Sequence, residues 1–255
     1  MDLSLKNNTA LICGSTQGIG LAIARELALL GANCILLARN EDRLKEVVAS
    51  LDSSLGQTHQ FAVADFQHTD QVKETAAALA AAGTIHILVN NTGGPAPGLI
   101  QNASADQFLN AFQQHIINNQ QLVQALLPGM KAARYGRIIN VISTSVKMPI
   151  PNLGVSNTIR AATAGWAKTL SLEVAADGIT VNNILPGFIM TGRLESLINS
   201  NAAAQKISPE ELAAQMEKQI PAQRFGETKE IAALAAFLAS PAASYINGTS
   251  IPVDG

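Results

Sequence analysis

A glycine cluster, Gly14-Ser15-Thr16-Gln17-Gly18-Ile19-Gly20, stands between an apolar run, Thr9 to Cys13, and a helical stretch, Ile19 to Leu30. This order restricts the fold more than any other feature. A strand that turns sharply into a helix needs backbone freedom at the bend and close packing just beyond it. Gly14 permits the tight turn, Gly18 lets the backbone come near a ligand, and Gly20 lets the helix approach the strand. The first N–H groups of such a helix have no partner within it and carry partial positive charge. The turn therefore predicts a receptor for a pyrophosphate.

The remaining pattern repeats that beginning. Strands are predicted at Asn33 to Ala38, Gln60 to Ala64, Ile85 to Val89, Arg137 to Ile142, Ile179 to Ile184 and Ser250 to Val253. Helices are predicted between them at Glu41 to Leu51, Gln71 to Ala82, Ala105 to Ala133 with a bend near Pro128, Asn157 to Ala176, and Glu227 to Leu238. Apolar strands alternating with helices predict an α/β fold of three layers. This is a doubly wound parallel sheet of about seven strands with helices on both faces. No internal linker divides residues 1–255, so one dinucleotide-binding domain is expected. Residues of about 192–223 form two polar helical stretches parted near Ser208-Pro209, and read as a flap over the site.

Composition narrows the function classes. Apolar residues make up 47% and charged residues 14%, and the net charge is −2 with no basic block. No nucleic-acid partner is expected, and sparse surface charge leaves room for subunit contacts. No uncharged apolar run reaches about eighteen residues, so no membrane span is expected. Met1 to Lys6 lacks the pattern of a secretory leader. Cys13 and Cys34 lie in apolar strands and read as reduced core thiols, which predicts a cytoplasmic protein. No metal site is expected.

The glycine spacing, Gly-x3-Gly-x-Gly, is wider than the common GxGxxG fingerprint. With it, the chain resembles the short-chain dehydrogenase/reductase family along nearly its whole length, in particular the 3-oxoacyl-[acyl-carrier-protein] reductases. Further stretches carry the likeness. These are Asp65 after the third strand, Asn90-Asn91-Thr92-Gly93 after the fourth, Pro186-Gly187 with Thr191, and Asn247-Gly248 through Val253-Asp254-Gly255. The resemblance implies a nicotinamide cofactor held by Gly14, Ser15, Thr16, Gln17, Gly18, Ile19 and Gly20, and by Asp65 and Phe66 at the adenine. It further implies Asn91, Thr92 and Gly93 near the ribose, and Arg160, Pro186, Gly187, Ile189 and Thr191 at the nicotinamide half. It also implies a homotetramer or homodimer built on the helices at 105–133 and 157–176.

An acidic side chain at the end of the second strand would accept bonds from a ribose diol. That place holds Ala38, followed by Arg39. A guanidinium there suits a 2′-phosphate, so NADP(H) is favoured and NAD(H) stays open.

The family's reaction uses an Asn-Ser-Tyr-Lys group. Aligned on Gly136 to Ile139, the serine is Ser143, the tyrosine position holds Ser156, the lysine position holds Arg160, and the asparagine position holds His115. Only the serine is kept. Tyr135 and Tyr245, the two tyrosines of the chain, lie elsewhere. His115, with an ordinary pKa near 6.5, is the one nearby group suited to donate a proton at neutral pH; replacing the asparagine's structural hydrogen bond is its plainer role. Lys147 and Asn157 are polar candidates for the lip, and Met148, Pro149, Ile150 and Leu153 for an apolar wall. Three functions stay open. One is an NADP(H)-dependent oxidoreductase acting on a small or acyl-carrier-linked carbonyl. The second is a dinucleotide-binding sensor or partner subunit without catalysis, and the third an isomerase or dehydratase on the same scaffold.

Overall fold

The computed structural model describes residues 1–255. Its strands are β1 Thr9–Cys13, β2 Asn33–Ala38, β3 Gln60–Val63, β4 Ile87–Asn90, β5 Gly136–Val141, β6 Ile179–Pro186 and β7 Ser250–Val253. They form one parallel sheet in the order β3-β2-β1-β4-β5-β6-β7. The order reverses between β1 and β4, which opens a crevice at the carboxyl ends of those strands.

Strand alternation builds the three layers. On one face Ala10, Ile12, Cys34, Leu36, Ile87, Val89 and Ile139 pack against α1 Gly18–Leu29, α2 Glu41–Ser50 and α9 Thr228–Ala239. On the other, Leu11, Cys13, Leu37, Leu88 and Ile138 pack against α3 Thr69–Ala82, α5 Asn118–Ala133 and α6 Gly154–Val174. Burial pushes both thiols up to about 12, so Cys13 and Cys34 are inert core groups.

Three asparagines interrupt this apolar interior in register. Asn90 lies beside Asn140, Asn140 beside Asn183, and Asn183 beside Ser250. Asn90 Nδ2 donates to Asn140 Oδ1 (2.8 Å), Asn140 Nδ2 to Asn183 Oδ1 (2.9 Å), and Asn183 Nδ2 to Ser250 Oγ (3.1 Å). Each amide satisfies the next, which makes burial of polar groups tolerable and fixes the register of four strands. Asn140→Ala strips both neighbours at once and is expected to cost about 3 kcal/mol, read by urea unfolding.

The helical pattern at 105–133 is α4 Ala105–Phe112 and α5, joined by a π-helical turn, Gln113–Ile117. Pro128 lies inside α5, so the break falls upstream of the bend the sequence suggested. The wider turn sets His115 into the interior. The flap is α7 Gly192–Gln205 and α8 Pro209–Glu217, with a core of its own in Leu194, Ile198, Ala202, Leu212, Ile220 and Phe225. Its stem is closed by backbone bonds from Met190 N to Gly226 O and from Gly226 N to Phe188 O. No helix is long and apolar enough to cross a membrane.

Candidate functional site

The crevice is a cleft of about 640 Å³, a size that suits a small-molecule site. Gly14, Thr16, Gln17, Gly18 and Ile19 line one end, with Arg39, Asp65 and Phe66 beyond them. Asn91, Thr92 and Gly93 line the middle, and Ser143, Ser156, Arg160, Pro186, Gly187, Ile189 and Thr191 the other end. The topology brings these scattered residues together because each follows the carboxyl end of a strand, or faces it from α6.

The turn before α1 has the shape a pyrophosphate needs. Gln17 caps α1 without any side-chain bond, and no acid stands in the first turn, so the leading N–H groups meet the cleft unclaimed. Gly14 adopts φ +60°, and a Cβ there would run into the Asn91 carbonyl oxygen. Asn91 Nδ2 donates to the carbonyls of Cys13 (3.3 Å) and Gly14 (3.2 Å), which ties the turn to the end of β4. Arg39 is exposed and makes no ion pair or side-chain hydrogen bond, so its five donors are free at the cleft's mouth. These features fit an NADP(H) molecule, with the pyrophosphate against α1 and the 2′-phosphate at Arg39.

At the other end, Ser143 Oγ accepts from Ser145 N (3.0 Å), which leaves its own O–H free to donate into the cleft. Ser156 and Arg160 sit one turn apart on α6, facing the same way. Arg160 Nη1 donates to Val141 O (3.1 Å), and burial, then the charge of Arg193, pulls its pKa down to about 10.

Three expected site residues stand elsewhere. Ser15 is fully buried with an unpartnered Oγ, so its side chain points inward. Gly20 lies behind the turn, where a Cβ would run into the Gly14 carbonyl oxygen. His115 does not line the cleft: it is 2% exposed, and its Nδ1 lies 2.9 Å from Thr92 Oγ1 while Nε2 has no partner. Burial, then the charges of Arg160 and Arg193, push its pKa down to about 3. The imidazole is neutral at pH 7, so the expectation of a neutral-pH proton donor gives way to a structural prop beneath Thr92.

The shift has a stability consequence. The unfolded chain takes up a proton near pH 6.5 that the folded chain refuses until about pH 3. Stability is therefore complete above pH 6.5 and falls as pH drops from there toward 3. His115→Asn is expected to remove much of that acid sensitivity, measured as urea midpoints across the same pH range.

Around the lip, Ile150 and Leu153 line the cleft, whereas Lys147, Met148 and Pro149 are exposed outside it. Asn157 is no lip residue: its Nδ2 donates to Ile150 O (2.9 Å), clamping the Ile150 loop onto α6. Tyr135 donates its hydroxyl to Ala239 O (2.6 Å), and Tyr245 is fully exposed, so neither replaces the missing phenol. Sequence reasoning missed Gly94, Gln114, Arg193 and Leu197, which also line the cleft. Arg193 opens the flap two residues after Thr191, and that position was its only signal. No group of three or more His, Cys, Asp or Glu side chains gathers to hold a metal.

Fold and site together define a dinucleotide-binding oxidoreductase. A family model described as Enoyl-(Acyl carrier protein) reductase matches residues 14–255. The 3-oxoacyl-[acyl-carrier-protein] reductase FabG of Haemophilus influenzae is 36% identical over 257 residues, covering 98% of both chains. The NADPH-dependent reductase BacG of Bacillus subtilis is 32% identical over 256 residues, again covering 98% of both. L-Sorbose reductase of Gluconobacter frateurii, solved with NADPH and L-sorbose, superposes with a TM-score of 0.94 at 31% identity, covering 100% of this chain and 98% of that one. The chain belongs to the short-chain dehydrogenase/reductase family, and it is an NAD(P)(H)-dependent oxidoreductase of that type.

Proposed function

We propose that the chain reduces a carbonyl of 3-oxoacyl-like type with NADPH, binding the cofactor across the crevice and the carbonyl at Ser143 and Ser156. One observation carries this reading. The uncapped start of α1 and the free Arg39 lie at one end of the same cleft that holds two serine hydroxyls and a guanidinium at the other. NADP(H) is the favoured cofactor: Ala38 stands where an acid would favour NAD(H), the free guanidinium of Arg39 follows it, and relatives of high coverage are described with NADPH.

When bound, the reduced nicotinamide supplies a hydride to the carbonyl carbon. Ser143 and Ser156 hold the carbonyl oxygen by donated hydrogen bonds, and the Arg160 charge favours the negative charge that builds there. The proton that completes the alcohol comes from water, passed by a serine hydroxyl. Lacking a well-placed acid, the reaction runs slower by about 10²–10⁴-fold than one with such a donor. NADPH consumption across a panel of ketones and 3-oxoacyl thioesters tests the reading. Absence of turnover in protein proven to bind NADPH would sink it.

A second reading, a binding subunit without catalysis, gains support from His115, whose depressed pKa removes the one side chain suited to proton transfer at neutral pH. That reading survives the failure just described, and falls if NADPH and NADP⁺ both fail to bind below millimolar concentration.

The chain also carries exposed apolar side chains on the helices of the expected subunit contacts, Leu109 and Phe112 on α4 and Leu172 on α6. Pairing of these faces in a homotetramer or homodimer follows, and a monomer in sedimentation velocity would refute it.

A further inference from the structure

We infer that the carbonyl substrate carries a free carboxylate, received by Arg160 and Arg193 together, so that the preferred substrate is a small 2-oxo or 3-oxo acid. The inference rests on the reductase reading and narrows its substrate.

Two guanidiniums converge at the end of the cleft that holds the serines. A Cβ placed on Gly94 would lie 2.8 Å and 3.0 Å from the Arg193 Nη2 and Nη1 atoms, and 3.2 Å from Arg160 Nη2. Both side chains thus reach one point beside a residue that has no side chain to fill it. Arg193 Nη1 donates to Gly94 O (3.0 Å) and Nη2 to Pro95 O (3.2 Å), which holds it in place across the cleft. Arg160 is 8% exposed and uses Nη1 on Val141 O, and its other donors have no protein partner. Neither arginine belongs to any ion pair.

Bringing two like charges together in a partly buried place without an acid is unfavourable. Burial lowers the pKa of both guanidiniums, and at Arg160 the charge of Arg193 adds to that effect. The one acidic residue of the cleft wall, Asp65, follows β3 at the far edge of the sheet, beside Arg39. His115 is neutral and offers no compensation. An alkoxide forming at the serines calls for one positive neighbour, so a second guanidinium leaves room for a second anionic group. A carboxylate carried by the carbonyl substrate supplies that anion, with two oxygens for two planar forks. A thioester presents no such charge next to its reacting carbonyl.

Calorimetric titration of the NADP⁺-loaded full chain compares phenylpyruvate with phenylpyruvamide, and acetoacetate with acetoacetamide. The acids are expected to bind about ten- to a hundredfold more tightly than the amides, and to weaken with added salt. In Arg193→Gln the acid-to-amide ratio is expected to fall to about threefold or less, while the NADPH Kd, read by fluorescence, stays within about threefold. Arg193→Lys, which keeps the charge but not the fork, is expected to fall between.

Amides that bind as well as acids would overturn the inference. So would Arg193→Gln if it weakened NADPH about tenfold and left the ratio unchanged, because the guanidinium would then serve a cofactor phosphate. Failure of both acids to bind at millimolar concentration also overturns it, whether or not neutral ketones are reduced. Acids that bind with this preference but are not reduced while neutral ketones are also overturn it. No reduction of acids, ketones or thioesters leaves the charge pair standing and removes the reductase reading instead.

Discussion

Gly14→Ala is expected to abolish useful NADPH binding, weakening it by at least about a hundredfold, and to cost roughly 2–5 kcal/mol of stability. Two independent penalties add. The residue sits at φ +60°, a conformation that a side chain resists. Its new Cβ would also run into the Asn91 carbonyl oxygen, and a backbone atom anchored just past the end of β4 cannot step aside as a side chain can. Relief requires moving the turn, and the turn aims the first amides of α1. Urea unfolding reads the stability loss, and fluorescence titration of NADPH the binding loss. Gly83→Ala is the matched control: Gly83 ends α3 in extended backbone with open space around it, so a change within about 0.5 kcal/mol is expected. A Gly14→Ala protein that bound NADPH with native affinity would remove the α1 receptor from the account.

The sheet was legible in the sequence because its signal is local. Apolar runs such as Thr9 to Cys13 and Ile179 to Ile184 can be buried on two faces only as central parallel strands, and the glycine turn fixes how the first one joins its helix. Ends of elements drifted by a residue or two, as at β4, where Ile85 precedes the strand. Less legible were features that depend on what lies opposite. The asparagine ladder needs Asn90, Asn140 and Ser250 to fall in register with Asn183, and those residues are far apart in the chain. His115 looked like an acid because an isolated imidazole titrates near neutrality; its burial beside Arg160 and Arg193 is a tertiary fact. Arg193 was barely legible for the same reason: beyond its place two residues after Thr191, nothing in a polar helical segment announces that its arginine reaches back to Gly94. The positions of Ser143, Ser156 and Arg160 could be read because α6 keeps an unbroken helical register from Gly154 onward.

That register makes the second large effect testable. Restoring the phenol and amine with Ser156→Tyr and Arg160→Lys together is expected to raise the rate of ketone reduction by about 10²-fold or more, within the 10²–10⁴-fold range of a positioned acid. Ser156 lines the cleft directly, so a longer side chain there extends into open volume rather than into the core. A lysine one turn away lowers the phenol's pKa below its usual value near 10 by placing a positive charge beside the phenolate. Reduction requires the protonated phenol, so the variant's rate is expected to decline as pH rises through that lowered pKa. The native chain, with serine in that place, is expected to show no such alkaline limb. Ser156→Tyr alone separates the donor from its tuning: its limb should lie at higher pH if Arg160 is the poorer partner. The same double variant bears on substrate charge, because Arg160→Lys removes one planar fork from the Arg160–Arg193 pair. A gain on neutral ketones accompanied by a loss on oxo acids is therefore expected. A variant that folds, binds NADPH and gains nothing on either substrate would mean that hydride transfer is limited by something other than the proton, and that the serine at 156 is not a weakened copy of a donor.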